Sequence, residues 1–238
     1  MRLAVFSDIH GNLPAFNAVT TDMYEHEPDG VVCLGDISFN GLYPQECVEL
    51  LEHLRPMCII KGNTDSNFEE FPTFVPLDDA ERRLYALIAY GDSRLSGLSK
   101  HMLERLPLVD LREIDGKRVL FCHGSPWSFK DNFSPSSPAF PMMTQKVDAL
   151  DVDVIFCGHT HKRETFEIGR TLVVNVGAVG YAFDGDPRPN YCIADISSDG
   201  ISINMRRIDY DYVSYREELL AEPLFTDLAY VVAYGRFH

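Results

Sequence analysis

The sequence predicts an α/β sandwich in which parallel strand–helix–strand units come first and antiparallel hairpins follow. Three observations carry this. Strand-length apolar runs alternate with helix-period segments over residues 1–60. An Asp115-Gly116 pair, a preferred two-residue turn, separates two later apolar runs. Ser198-Asp199-Gly200 separates another such pair near the C-terminal end.

Taken in order, Leu3 to Phe6 reads as a buried strand. Asn12-Leu13-Pro14 then opens a helix, with Asn12 or Leu13 at the cap and Ala15, Phe16, Val19 and Met23 as its apolar stripe. Pro28-Asp29-Gly30 ends it, and Val31 to Leu34 is the second strand. Pro44 opens a helix that turns Cys47, Val48, Leu50, Leu51 and Leu54 inward, and Met57 to Ile60 is the third strand. Such βαβαβ order requires crossover helices and parallel strands. The middle of the chain predicts two helices, Asp78 to Tyr90 with Leu84, Leu87 and Ile88 inward, and Leu98 to Leu106. We expect residues of about 66–107 to form a small helical cap inserted into a single domain that spans 1–238.

Leu108 to Ile114 and Lys117 to Cys122 then form a hairpin, and Ser125 to Pro141 is a long loop rich in serine, proline and aromatics. Met142 to Leu150 reads as a helix, and Val152 to Cys157, Thr165 to Ile168 and Thr171 to Val174 as strands. Tyr191 to Ile196 and Ile201 to Ile208 make the last hairpin, and Tyr212 to Leu220 and Leu224 to Tyr234 the terminal helices.

Composition narrows the function classes. At 238 residues, 45% of them hydrophobic, the chain can build a core without disulfide staples. No run approaches the ~20 apolar residues of a membrane span, and the first strand leaves no room for a signal peptide. The six cysteines form no C-x-x-C pair and read as reduced core thiols, so the expected location is cytoplasmic. A net charge of −15 without any Lys/Arg run argues against extended nucleic-acid binding. A small phosphate-ester substrate remains compatible, because bound cations reverse a local field. Self-association into a homo-oligomer also stays open.

The chemistry sits where the apolar runs stop. Asp8-Ile9-His10, Gly35-Asp36, Gly62-Asn63, His123-Gly124 and Gly158-His159-Thr160-His161 each follow a predicted strand. Ligand sites in α/β sheets lie beyond the carboxyl ends of strands. Taken singly, Asp-x-His and Gly-Asn are ordinary caps and turns. Five successive strand exits bearing imidazole, carboxylate or amide are not. Asp8, His10, Asp36, Asn63, His123, His159 and His161 exceed what one tetrahedral zinc can use, and two cations sharing Asp36 can use them all. Mixed nitrogen and oxygen ligation without thiolate favours manganese, with iron, zinc, cobalt or nickel as alternatives.

These blocks resemble the five signatures of the calcineurin-like metallophosphoesterases: Asp8-x-His10, Gly35-Asp36, Gly62-Asn63-x-Asp65, His123-Gly124 and Gly158-His159-x-His161. Asn175-Val176-Gly177-Ala178-Val179-Gly180, and Gly185-Asp186-Pro187-Arg188 after it, resemble the small prokaryotic phosphodiesterase-type branch. The resemblance implies a four-layer α/β/β/α sandwich of two mixed sheets and a dinuclear centre. Asp8, His10, Asp36 and His161 would hold one ion, and Asp36, Asn63, His123 and His159 the other. Asp36, Asn63 and His123 would carry the catalysis. It also implies attack on phosphorus by a metal-bridging hydroxide.

Departures from the family pattern refine this. Where the protein-phosphatase branch has a histidine after Gly-Asn, this chain has Thr64, which donates no proton near neutral pH. Leaving-group protonation must then come from water or a metal ligand. The arginine that clamps a monoester dianion in that branch is missing from Gly35-Asp36-Ile37-Ser38-Phe39-Asn40-Gly41. The expectation is therefore a phosphodiesterase. The alternatives are a phosphomonoesterase, a dinucleoside-polyphosphate hydrolase, or a non-catalytic scaffold on the same fold. Asn40 and Arg188 are candidate substrate contacts, and Asp65 is a candidate for orienting a ligand histidine from behind.

Overall fold

The computed structural model describes residues 1–236 and contains two five-stranded mixed sheets. β1 (Arg2–Phe6), β2 (Gly30–Cys33) and β3 (Cys58–Ile59) run parallel, joined by α1 (Leu13–Glu25) and α2 (Pro44–His53). The first sheet is completed on the other side of β1 by a hairpin near the end of the chain, so the central strand is flanked by segments distant in sequence.

Between these come α3 (Asn67–Glu70), α4 (Asp79–Arg94) and α5 (Gly97–Glu104). The hairpin β4 (Val109–Ile114) and β5 (Lys117–Cys122) follows, then α6 (Phe140–Val147), β6 (Val154–Cys157), β7 (Arg163–Ile168) and β8 (Thr171–Val176). The hairpin β9 (Asn190–Ser197) and β10 (Gly200–Arg207), then α7 (Tyr212–Ala221) and α8 (Thr226–Tyr234), close the chain. The sheet orders are β10-β9-β1-β2-β3 and β4-β5-β6-β8-β7. In the second, β5, β6 and β8 are mutually parallel and the edges β4 and β7 antiparallel.

Strand alternation separates the layers. Leu3 and Val5 of β1 pack with Val119, Phe121, Val154 and Phe156 between the two sheets. Ala4 and Phe6 face the other way, onto Phe16, Val19, Cys47 and Leu51 of α1 and α2. Leu120, Cys122 and Ile155 face Met143 and Val147 of α6. The result is the expected α/β/β/α stack. α7 and α8 form a further cluster with Tyr181 and Phe225.

Local chemistry sets the element ends. The Asn12 side chain accepts from the Ala15 N–H at the start of α1, and Pro14 lies in its first turn. Asp115 and Gly116 take φ of 48° and 77°, the twist a two-residue hairpin turn requires. All six cysteines are buried and free. No described helix is long and apolar enough to cross a membrane.

Two readings change. β3 spans only Cys58–Ile59 at the sheet edge, although Met57 N–H to Val31 O and Ile60 N–H to Cys33 O, both 2.9 Å, keep the flanking residues beside β2. Leu84 is 36% exposed, whereas Ile88 is buried. α4 lies on the surface and buries only a narrow stripe, so the same helical period covers fewer positions than its apolar content suggests.

Phe121 and Phe156 stack between the sheets with centroids 5.6 Å apart. Phe156→Ala should cost about 3–5 kcal/mol in urea denaturation, by lost burial plus a cavity. Leu98→Ala, at 84% exposed, should stay within about 0.5 kcal/mol.

Candidate metal centre

The parallel ladder continues beyond its strands and brings the first blocks together. Asp8 N–H donates to Gly35 O, His10 N–H to Asp36 O and Gly11 N–H to Ile37 O, each at 2.9 Å. Gly158 N–H donates to His123 O at 2.8 Å, which joins the corresponding loops of the second sheet. The sheets are then tied to each other, by Val179 N–H to Ser7 O at 3.0 Å and Gly180 N–H to Asp8 O at 2.7 Å.

This framework gathers the site side chains. Asp8 Oδ1 lies 3.2 Å from His161 Nε2, 3.7 Å from His10 Nε2 and 3.9 Å from His123 Nε2. Asp36 Oδ2 lies 3.6 Å from His10 Nε2 and 3.5 Å from His123 Nε2. Asn63 Oδ1 is 3.1 Å from His123 Nε2, and the His159 ring centroid is 5.2 Å from that of His123. Asp8, His10 and His161 each offer a ligand atom within 4.8 Å of the others, as do Asp8, Asp36 and His123. The sequence reading gave the shared position to Asp36 alone; the geometry places Asp8 between the histidines as well.

Each group is held from behind. The Nδ1 atoms of His10, His123 and His161 face the carbonyls of Phe39, Leu34 and Tyr181 at 2.9, 2.7 and 2.6 Å. A carbonyl only accepts, so Nδ1 carries a proton, and Nε2 is the atom each ring offers inward, to a proton or to a metal ion. Asp8 Oδ2 accepts from the His159 N–H at 3.0 Å and Asp36 Oδ1 from the Thr64 N–H at 2.8 Å. Each carboxylate thus has one oxygen tied to an amide and the other aimed into the cluster. Asp8 Oδ1 is buried without a hydrogen-bond donor. A convergence of oxygen and nitrogen lone pairs with no donor between them is costly unless positive charge occupies the space. This donor set fits one or more divalent cations.

The electrostatics agree. Burial pushes the His123 imidazolium down, but Asp36 and Asp8 outweigh it and carry the group up to about 10. Burial lifts Asp36, but His123 and His10 overcome it and hold the carboxyl at about 2. Asp8 is held well below the usual range in the same way, its burial overcome by His161 and His123. The pocket therefore favours cationic partners, and metal ions compete there with protons. His159 is the exception: burial and the neighbouring His123 keep its ring below the ordinary value.

Asp65 does not touch a histidine. Its carboxylate accepts from the N–H groups of Asp36, Ile37 and Gly62 at 2.9, 3.0 and 2.8 Å, and so locks two site loops together. Asn40 reaches the cavity and donates to the Tyr181 hydroxyl at 3.2 Å. Arg188 does not line it; its guanidinium is engaged by Asp186 at 2.7 Å and Asp209 at 3.5 Å. Sequence reasoning missed Tyr181, stacked on His10 at 4.7 Å, and Phe183, stacked on His161 at 4.4 Å. It also missed the wall opposite the cluster. α4 supplies Arg83 and Leu87 there, and Leu224 with Asp227, Leu228 and Val231 of α8 completes it. Regular alternation in Tyr181-Ala182-Phe183 was the only signal for the stacked rings.

The candidate ligand positions also share an unusual backbone. Asp8, His10, Asp36, His159 and His161 have φ between 50° and 67°, a left-handed region that Asp and His tolerate better than most residues. Gly62 is confined for a different reason: a Cβ there would lie 2.0 Å from Asp36 Oδ1. Asp65→Asn replaces an acceptor by a donor facing amide N–H groups. It should weaken Mn²⁺ affinity about 10–100-fold in calorimetry while the far-UV circular dichroism spectrum is retained.

Comparison with known proteins completes the picture. An uncharacterised protein of Methanocaldococcus jannaschii is 28% identical over 242 residues, covering 93% of each chain. The metallophosphoesterase of Sphaerobacter thermophilus superposes with a TM-score of 0.76 at 27% identity, over 99% of both chains. A hypothetical protein of Pyrococcus horikoshii shares the fold at a TM-score of 0.84 and 18% identity, over 100% of this chain and 99% of that one. Residues 1–199, which include every strand exit described above, match the calcineurin-like phosphoesterase superfamily domain, and the chain belongs to that family of metallophosphoesterases.

Proposed function

We propose that this protein is a dinuclear metal-dependent phosphodiesterase acting on a small phosphate ester. The observation that carries this is a pair of overlapping buried groups, Asp8 with His10 and His161 and Asp8 with Asp36 and His123, whose ligand atoms lie within 4.8 Å of one another in each group, with Asp8 Oδ1 lacking any hydrogen-bond donor. Asp8, His10, Asp36 and His161 would hold one ion. Asp36, Asn63, His123 and His159 would hold the other, with Mn²⁺ the preferred metal for this donor set. When bound, such a pair supplies a nucleophilic water near neutral pH and neutralises charge on the phosphoryl oxygens.

The remaining work falls to the protein. The backbone-anchored rings and amide-tied carboxylates hold that geometry without rearrangement on substrate binding. Thr64 borders the cavity but its hydroxyl is buried without a partner, and threonine supplies no proton to the leaving group near neutral pH. The Tyr181 phenol is pushed up, mainly by burial, and stays protonated. Because Asn40 donates to its oxygen, its own proton is available to the ligand. α4 acts as part of a cap that bounds the site.

Preference for a diester follows from charge. Among the described residues lining the cavity beside Asp36, the arginine is Arg83, and its Nη2 is committed to Asp227 Oδ2 at 2.8 Å. A monoester dianion held within that cavity would meet no free cationic side chain among its described lining residues, whereas a diester monoanion needs less. The non-catalytic reading calls for eroded ligands, and all seven are present.

With Mn²⁺ loaded, metal analysis should give close to two ions per chain, and bis-p-nitrophenyl phosphate should turn over faster than p-nitrophenyl phosphate. Monoester turnover far above diester turnover would reject the preference. Asp36→Asn weakens both ions and removes several kcal/mol of charge stabilisation, so kcat should fall about 100-fold or more. Near-normal turnover by that variant would overturn its bridging role.

A further inference from the structure

The cleft has two chemically distinct lobes that meet at the metal cluster. The first has a volume of about 350 Å³. Its wall opposite the cluster is Leu87, Leu224, Leu228 and Val231, with Phe183 at the side. The charged groups on that wall cancel, since Arg83 pairs with Asp227 and also donates to the Leu224 carbonyl. That volume holds roughly a dozen waters at ~30 Å³ each, enough for a phosphoryl group and one ring or short alkyl chain.

The second lobe is larger, about 720 Å³, and of opposite character. Ser134, Ser136 and Ser137 line it together with Lys162, Arg163 and Arg236. Two carboxylates, Glu164 and Asp184, also border it. Asp184 is neutralised by Arg207, which it binds directly. Lys162, Arg163 and Arg236 are exposed, and the described residues give none of them an ion pair. Three cations around one groove, without an ion pair among the described residues, stand out in a chain of net charge −15.

His159 and Phe183 line both lobes, so the two adjoin at a residue of the metal cluster. Two ester groups diverging from one phosphorus would enter them separately. A monoester has only one such group. We propose that the substrate is an asymmetric phosphodiester, with one small apolar ester group seated against α4 and α8 and the other carrying a further anionic group seated against Lys162 and Arg163. This deepens the phosphodiesterase reading and rests on it.

Binding of phosphonates to the Mn²⁺-loaded full chain, measured by calorimetry, tests this without relying on turnover. Phenylphosphonate should bind about tenfold more tightly than methylphosphonate, because only its ring covers the apolar wall. The Lys162→Gln/Arg163→Gln double variant, altered only at exposed positions, should bind 4-phosphonobutyrate about tenfold more weakly and phenylphosphonate unchanged. Leu87→Asn should do the reverse. If that variant misfolds, the phenyl–methyl comparison on the unaltered chain still decides the apolar lobe. Equal affinity for phenyl- and methylphosphonate overturns the proposal, and so does a double variant that binds 4-phosphonobutyrate as well as the parent. Failure of every phosphonate to bind would instead remove the phosphoesterase reading beneath it.

Discussion

Two backbone hydrogen bonds, from Val179 to Ser7 and from Gly180 to Asp8, determine whether this molecule has a site at all. Each sheet contributes only part of the cluster: Asp8, His10, Asp36 and Asn63 come from the first, and His123, His159 and His161 from the second. Side-chain packing between sheets leaves room for sliding, but hydrogen bonds between loop backbones do not. The approach is close enough to exclude side chains. A Cβ on Gly180 would sit 2.4 Å from the Ile9 carbonyl oxygen, and one on Gly158 would sit 2.1 Å from Ser7 Oγ. Those glycines let the loops of the two sheets register against each other to within a hydrogen-bond length.

Once the loops are in register, charge does the rest. Buried carboxylates and imidazoles usually satisfy one another by exchanging a proton. Here the carbonyls behind the rings have already claimed the Nδ1 hydrogens, so the inward faces compete for any positive charge. Stacking of Tyr181 and Phe183 against His10 and His161 excludes water from one flank and keeps the local dielectric low. The same two aromatics then form part of the cavity wall, so the groups that stiffen the cluster also shape what can approach it.

Much of this was legible in the sequence because the governing rules are local. Strand exits are marked by the end of an apolar run, and a ligand two residues later is visible in one dimension. The Asn12 cap and the Asp115-Gly116 turn were legible for the same reason. What escaped depends on groups that leave no trace in residue identity. The partners of the histidines are backbone carbonyls, and any residue supplies one. Asp65 was expected beside a histidine but binds three amides, an interaction that no side-chain pattern encodes. The apolar face of α8 looks the same whether it covers a core or borders a cavity, so its role at the site surfaced only in three dimensions. Arg188 was a candidate because it follows a family-like Gly-Asp-Pro, yet its neighbour Asp186 captures it.

The positive φ angles at Asp8, His10, Asp36, His159 and His161 bear on how such a chain can change over time. Replacement by valine, isoleucine or threonine would deform the turns, whereas asparagine or glycine would keep them. A lineage that abandons hydrolysis is therefore steered toward exchanges that silence the chemistry and spare the architecture. The shape of these loops can outlive the reaction they were built around, which leaves a rigid rim ready for recruitment to other tasks.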